Sequence, residues 1–449
     1  MSLPRSTAST AGVPPHVRTA ARPWSERLLH LVPDGVARDT SLLFAGFSTR
    51  VLAQAFGFVL LARALGPADL GRFSAVLAVT VLLSPFVELG AYNLAVRDVT
   101  AGVEERRVIG NTLALTACAL PPALFVLLAV GRVALPGTPW TAVAAVGVGN
   151  LLGARLTSLF RGIFVGRGEV LGAALIEAVT GVVYLAGALV LGATSKAFST
   201  WTWIYCAQYV AVGVGGVAVL LGRFGVARWS GGAVRARVAE GVHFGIGAVA
   251  QSANAELDKA LLARLAALES AGVYAASTRA LAVAIAPAMA FFGAIYRRFF
   301  RAGAAGLPAS RRFAFQVAPA ALAYGLLAWA TIALAAPVLA HLFGKGFAET
   351  ASTLRWIAPL VAIEVLTYPF LDALTGAGLQ PLRTAAQVCA LGVGVVLNVL
   401  LDPRLGWRGA AIASLVSQGA LLTFAVVAAP WAARVTRIGG ARGKEVTAP

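Results

Sequence analysis

The sequence predicts an all-α polytopic membrane protein of about 12 transmembrane helices, arranged as two six-helix lobes around a central cleft. Three observations predict it. Of 449 residues, 59% are apolar and only 12% charged, with a mean hydropathy of +0.80; a soluble chain carries about twice that charged share. Apolar runs of the roughly 20 residues needed to cross a bilayer follow one another along almost the whole chain. A helix-exit phrase also occurs twice, as "LLARALGPADLGRF" from Leu60 and "LLARLAALESAGVY" from Leu261. Leu60 pairs with Leu261, Arg63 with Arg264, Gly71 with Gly272 and Phe73 with Tyr274, all at an offset of 201.

The elements follow in order. Residues 1–38 are polar, basic and rich in Pro, Ser and Thr, and are expected to form a disordered cytoplasmic tail ending in a short surface helix around Trp24–Leu31. They lack the short apolar core and small-residue cleavage site of a signal peptide. The N-terminal lobe, 39–222, holds spans at 41–62, 73–94, 109–131, 140–161, 170–193 and 201–222. Arg50 lies about 13 Å along the first span, near mid-membrane. Glu88, Arg155 and Glu177 are further charges within this lobe. Gly147 and Gly149 of "GVGVGN" suit close helix packing.

A cytoplasmic linker at 223–241 leads to the C-terminal lobe, 242–433, with spans at 242–264, 273–296, 313–343, 354–377, 385–401 and 409–432. The first of these carries Glu256, Asp258 and Lys259, the second Arg279, and the fourth Glu364 and Asp372. Kinks are expected at Pro287, Pro359 and Pro369, and the long 313–343 span is expected to tilt or to break near Pro337. A basic cytoplasmic tail, 434–449, ends the chain.

Lys and Arg set the orientation. With the N-terminus inside, cytoplasmic segments hold 24 of them and external loops 7, and an even number of spans returns the C-terminus to the cytoplasm. The net charge of +18 is therefore dispersed over membrane loops, which topology and anionic lipid explain better than nucleic acid does, and no nucleic-acid partner is expected. Weaker echoes at an offset of 210 link Gly166 with Gly376 and Gln208 with Gln418. Six helices returning to the starting side make the two halves parallel repeats, related by a pseudo-two-fold along the membrane normal.

Charged residues within spans face a cavity or one another. Glu88 and Arg155 lie near a cytoplasmic end, where local pairing or snorkelling explains them as well as a cleft does. Arg63 and Arg264 close helices, where a cation suits the dipole. Glu256 and Lys259, three apart, form a neutralising pair. Arg50, Arg279 and Glu364 are best explained by a water-filled cleft, with Glu177, Asp258 and Asp372 divided between the two readings. The three cysteines, Cys118, Cys206 and Cys389, sit in apolar runs without disulfide or metal spacing, and His16, His30, His243 and His341 are scattered. No nucleophile elbow, Walker loop or metal motif occurs, so neither an enzyme nor a cofactor is expected.

Several phrases resemble the polysaccharide-biosynthesis, Wzx-type flippases of the multidrug/oligosaccharidyl-lipid/polysaccharide exporter superfamily. They are "LLARALGPADLGRFSAVLAV" from Leu60, "ELGAYNLAVRD" from Glu88, "LDKALLARL" from Leu257, "AGVYAASTRAL" from Ala271 and "LFGKGFAETASTLRWIAPL" from Leu342. The last is "VVLNVLLDPRLGWRGAAIASLVSQ" from Val395, with Asn398, Pro403, Gly406, Gly409 and Ala410 in matching places. Together they cover roughly residues 40–430.

The resemblance implies alternating-access transfer of a polyprenyl-pyrophosphate-linked glycan from the cytoplasmic to the external leaflet. It also implies a bacterial or archaeal plasma membrane, with glycan polymerases or ligases as candidate partners. Twelve spans rather than fourteen argue against lipid II as the substrate. An anionic pyrophosphate calls for cations, so Arg50 and Arg279, then Arg155 and Lys259, are the candidate substrate-binding residues. Glu177, Asp258, Glu364 and Asp372 are the candidates for a coupling proton or Na⁺, or for sugar hydroxyls. The alternatives are a cation-coupled drug exporter on the same fold and a non-transporting scaffold of a glycan-assembly complex.

Overall fold

A computed structural model describes residues 34–428; residues 1–33 of the expected N-terminal tail, with its Trp24–Leu31 helix, and the expected 434–449 tail lie outside the described residues, as do the side chains at 34–40, 233, 235–248, 250, 251 and 428. Residues 34–38, expected in the tail, belong to the first helix. The described chain is helical throughout. Its first part holds α1 (Asp34–Glu88), α2 (Ala91–Thr100), α3 (Glu105–Ala134), α4 (Trp140–Gly147), α5 (Arg155–Gly166), α6 (Val170–Ala193) and α7 (Phe198–Phe224). The remainder holds α8 (Gly231–Leu265), α9 (Leu268–Gly303), α10 (Leu307–Phe343), α11 (Thr350–Ile357), α12 (Pro359–Gly376), α13 (Gln380–Leu405) and α14 (Trp407–Thr423). A π-helical segment, Val148–Ala154, joins α4 to α5, and another, Phe424–Ala428, follows α14.

Ten stretches of the described residues are long and apolar enough to cross a membrane, which makes this a multi-pass membrane protein. The difference from twelve has two physical sources. The first stretch, Ser41–Thr100, has 60 residues, about 90 Å of helix and far more than one crossing needs. It contains a reversal at Gly66 (φ 74°, ψ 174°), a conformation glycine tolerates, followed by Pro67, which has no N–H to continue the helix. The other source is α8, which is not among the ten. Gln251, Ser252, Asn254, Glu256, Asp258 and Lys259 fall within nine of its residues and make its second half polar. The connection before α8 is also shorter than the 223–241 linker expected, since α8 begins at Gly231.

Prolines behave unevenly. α10 runs without interruption through Pro319 and Pro337, so no break occurs near Pro337. α9 continues through Pro287 and α12 through Pro369, whereas Pro359 stands at the first position of α12, where the missing N–H costs nothing. Outward-facing side chains such as Phe125, Leu327 and Leu334 are strongly exposed, as expected where lipid is the solvent.

The first-half helices pack chiefly among themselves, led by α1 on α6, and the second-half helices likewise, led by α10 on α12 and α13 on α14. α1 is the main bridge, packing on α9 and α8. At one membrane face the bridge is tight. A Cβ on Gly71 would strike the Leu268 carbonyl, and one on Gly272 would strike the Pro67 carbonyl. Nearby, Arg63 donates from Nε to the Leu342 carbonyl (2.6 Å), and Phe58 meets Phe343 edge to face. The charge pattern expects this end to face outward, and it is called the outer face. The opposite, inner face carries the 101–104, 167–169 and 225–230 connections, which the charge pattern expects to be cytoplasmic. There Arg167 reaches Glu105 and Glu169, and Arg223 lies 2.7 Å from Glu169.

Candidate functional site

The polar half of α8 borders a polar cavity of about 240 Å³. On the first-half side the cavity is walled by Phe58, Ser74 and Leu77 of α1. On the other it meets Asn254, Asp258 and Lys259 of α8, Thr278 and Arg279 of α9, Glu364 of α12, and Ser414, Ser417 and Gln418 of α14. Spacings of three and four place such residues on one helical face, and here that face is turned away from lipid. A second cavity of about 140 Å³ shares Asn254, Glu364 and Gln418, and extends along α12 and α13 to Tyr368, Arg383 and Gln387. Phe58, which meets Phe343 at the outer junction, also lines the larger cavity.

Two cations occupy the larger cavity. Arg279 donates from Nη2 to Oε1 of Gln54 on α1 (3.2 Å) and lies 5.8 Å from the Phe58 ring centre. Gln54 donates in turn to the Tyr209 hydroxyl of α7 (3.4 Å), so a cation from the second half is anchored by two elements of the first. Lys259 is held closer to its own helix. Its Nζ is 3.0 Å from Glu256 Oε2 and 3.5 Å from Asp258 Oδ1, and donates to the Ala255 carbonyl (2.7 Å). Glu364 borders both cavities and makes no hydrogen bond or ion pair with a described residue.

The remaining candidates lie elsewhere. Arg50 does not border the larger cavity; its Nε is 2.8 Å from Oε2 of Glu177, whose other oxygen accepts from Arg161 Nη1 (2.6 Å). The Glu177 side chain is 9% exposed and the arginines 30% and 33%, so a buried carboxylate presents two half-buried guanidiniums. Phe47 and Tyr92 flank them, with the Arg161 guanidinium 4.4 Å from the Tyr92 ring centre. Arg155 is buried at the break between α1 and α2, where it donates to the Glu88 carbonyl and, from Nε, to Thr116 (3.1 Å). Asp372 pairs with Arg383 Nη1 at 3.2 Å, joining α12 to α13.

A further cluster has no counterpart among the expected site residues except Asp258. Asp402 on α13 is fully buried, and neither of its carboxylate oxygens has a hydrogen-bond partner. One turn earlier, Asn398 Oδ1 is likewise unpartnered. A void of about 20 Å³, close to the size of one water or small ion, is lined by Asn254, Asp258, Asn398, Ser414 and Ser417. Ser414 also shares a hydrogen bond with the Tyr274 hydroxyl (2.8 Å). Asp402 does not itself line this void; the polar side chains that do offer carboxylate, amide and hydroxyl oxygens, the donor chemistry of a hard monovalent cation or of a proton-binding site. Among the described residues no three His, Cys, Asp or Glu side chains gather as a metal site.

Of the eight expected site residues, the cavities gather Asp258, Lys259, Arg279 and Glu364. Arg50 meets Glu177 in a separate cluster, while Arg155 and Asp372 each bond locally. Arg161 and Arg383 escaped notice because hydropathy placed them in connections at 161–169 and 378–384, although both lie on helices. Asp402 fell one residue past the expected end of its span. The signal available for it was the Asn398–Asp402 spacing of four inside a family phrase.

The family profile described as "Polysaccharide biosynthesis protein" matches residues 36–302. No curated protein matches the chain. Among solved structures, an inward-facing multidrug resistance MATE family transporter of the MOP superfamily is similar with a TM-score of 0.68 at 15% identity, over 90% of this chain and 100% of that one. The lipid II flippase MurJ in an inward closed conformation is similar with a TM-score of 0.64 at 10% identity, over 86% and 87%. An outward-facing MATE family transporter of the MOP superfamily scores 0.54 at 17% identity, over 90% and 96%. At these identities the likeness is one of fold.

Proposed function

The chain belongs to the family of polysaccharide biosynthesis proteins, and from that premise we propose that it is a flippase for a polyprenyl-pyrophosphate-linked oligosaccharide. It carries the glycan from the cytoplasmic to the external leaflet by alternating access. The observation that carries this reading is the placement of Arg279, a second-half cation anchored by Gln54 and Tyr209 of the first half inside a polar cavity. A guanidinium there offsets pyrophosphate charge and binds it through paired N–H donors. Arg50 and Arg161, aligned by Glu177, supply a second anion-binding surface in the first half. The opposite wall, with Asn254, Thr278, Ser414, Ser417 and Gln418, offers the amides and hydroxyls that bond sugar hydroxyls.

The tight outer junction and the fit to an inward-facing relative support a state open toward the inner face, ready for substrate. Coupling is assigned to the unpaired oxygens near Asp258, Asn398 and Asp402, which a proton or Na⁺ would satisfy. A second reading, a cation-coupled drug exporter, is favoured by one observation, the unpaired Glu364 in the cavity. Reconstitution in liposomes decides between them. Transfer of a defined lipid-linked glycan between leaflets, lost in Arg279→Gln at equal protein abundance, supports the flippase. Export of an organic cation without glycan transfer overturns it. Glycan assembly that persists in cells when Arg279 and Arg50 are both replaced points to a non-transporting scaffold.

A further inference from the structure

The acids of this chain are distributed unevenly. Between Glu269 and Glu349 there is no Asp or Glu, yet the interval contains six arginines and one lysine. Five of those arginines lie between 297 and 312, at the inner ends of α9 and α10. The first half treats its inner-face arginines differently, since Arg106, Arg167 and Arg223 each lie within ion-pair distance of a glutamate. Arg297, Arg298, Arg301 and Arg312 have no hydrogen bond or ion pair with any described residue, and all four are exposed. Positive charge on the inner face is therefore paired within the protein at Arg106, Arg167 and Arg223, and left open at Arg228 and, as a cluster of four, at the ends of α9 and α10.

The position of the open patch follows from helix geometry. Leu268 begins α9 at the outer junction, against Gly71. Arg297 lies 29 residues on, about 44 Å at the α-helical rise, which is the full thickness of a bilayer including both headgroup layers. Arg297, Arg298 and Arg301 thus stand at headgroup depth. Tyr296 and Phe300 are exposed beside them, with ring centres 5.1 Å apart, supplying the aromatic contact typical of the membrane interface.

We propose that the inner ends of α9 and α10 form a docking surface for anionic glycerophospholipid, whose phosphates pair with Arg297, Arg298, Arg301 and Arg312. A helix C-terminus alone would favour one or two cations, but Arg312 stands in the first turns of α10, where the dipole disfavours a cation. An external anion accounts for both ends at once. The surface fixes the inner end of α9, the helix that carries Arg279 into the cavity, so lipid charge bears on the helix central to the site.

The test needs no transport and stands whether or not the flippase reading holds. Full-length protein is extracted from membranes of equal phosphatidylglycerol and phosphatidylcholine, and the retained lipid is measured by mass. Wild type is expected to retain phosphatidylglycerol about tenfold over phosphatidylcholine, with the preference falling as salt rises from 50 to 300 mM. The Arg297→Gln/Arg298→Gln/Arg301→Gln variant is expected to lose that preference, while Arg106→Gln/Arg107→Gln retains it. Equal retention of the two lipids by wild type overturns the proposal, and so does an unchanged preference in the triple variant. If the triple variant is not recovered folded, the salt dependence of the wild type and the three single variants carry the same decision. Loss of a co-purifying acidic protein without change in lipid retention also overturns it, in favour of a protein partner.

Discussion

Gly71 and Gly272 meet across the junction of the two halves. A Cβ on Gly71 would overlap the backbone of α9 at Leu268 and Gly272, and a Cβ on Gly272 would overlap the backbone at Pro67. They are also the glycines paired at offset 201 in the repeated phrase. The phrase occurs twice because its two copies pack against each other, each supplying the missing side chain that lets the other's backbone approach. The same region holds Arg63, which bonds the end of α10 rather than its own helix. Arg264, its partner at offset 201, makes no ion pair with a described residue.

Gly272→Ala is expected to force the halves apart at the outer face, because the obstruction is a backbone carbonyl and not a side chain that could turn aside. Overpacking of this kind costs about 1–3 kcal/mol. The variant should unfold several degrees lower in detergent and should expose a cysteine placed at Ser74 to impermeant maleimide on the outer side. Unchanged labelling and unchanged Tm would show that the junction tolerates a methyl group.

Arg63→Ala is expected to loosen the same junction more mildly. It removes one charge-assisted hydrogen bond to the Leu342 carbonyl, a contribution of about 1 kcal/mol at an exposed site. The labelling should rise less than in Gly272→Ala, and Arg63→Lys should restore part of the closure. A larger effect than that of the glycine would move the seat of closure to α10.

Arg50 and Glu177 are expected to act together. Arg50→Gln should leave the protein folded and reduce glycan transfer about tenfold or more, with Arg50→Lys intermediate because it restores charge without the planar fork. Glu177→Gln removes the carboxylate that aligns both Arg50 and Arg161. Its transfer defect should exceed that of Arg161→Gln, and combining Glu177→Gln with Arg50→Gln should add little further loss. Additive losses in the double variant would mean that Glu177 binds substrate or ion on its own account.

On the inner face, Glu169 is held below the usual carboxylate value of 4.5, chiefly by its hydrogen bond with Arg167, with Arg223 adding attraction. A depressed carboxylate contributes stability that is present above pH 4.5 and is lost as pH falls through the lower folded value. Glu169→Gln should therefore lower Tm at pH 7 by about 2 °C or less, in keeping with an exposed ion pair, and match wild type near pH 3. A gap that persists at low pH would assign the residue's contribution to packing.

The fold was legible because lipid leaves a strong record in sequence. Long apolar runs, the asymmetry of Lys and Arg and the repeated phrase all express requirements that each helix meets locally. Helix boundaries were less legible where those requirements lapse. α8 begins eleven residues before the span expected at 242–264, and α10 passes through Pro337 without a break. Of the site, Arg279 and Asp258 could be found by asking which charges have no reason to be in lipid. Arg161 and Arg383 could not, since a charge a few residues inside a span looks the same as one in a loop. The tie between Arg50 and Glu177 was also hidden, because the two are 127 positions apart and only the packing of α1 on α6 joins them.

Asp402 gives the sharpest test of coupling, because structural and functional roles predict opposite signs. Its two carboxylate oxygens are buried without partners, and Asn398 Oδ1 beside it is equally unsatisfied. A buried carboxyl without partners is destabilising, and its ionised form more so. If it were a structural device it would be bonded, as Arg155 is to the Glu88 carbonyl. Asp402→Asn, an exchange of nearly equal volume, should therefore raise the Tm measured without Na⁺ at about pH 9, and the difference should shrink when Na⁺ or acid is supplied to wild type. Transport should lose its dependence on the cation gradient in the same variant, while Asp372→Asn, which breaks an existing ion pair with Arg383, should lower Tm and leave that dependence in place. A fall in Tm for Asp402→Asn with cation dependence intact would return the residue to a structural role and leave Glu364 as the candidate for coupling.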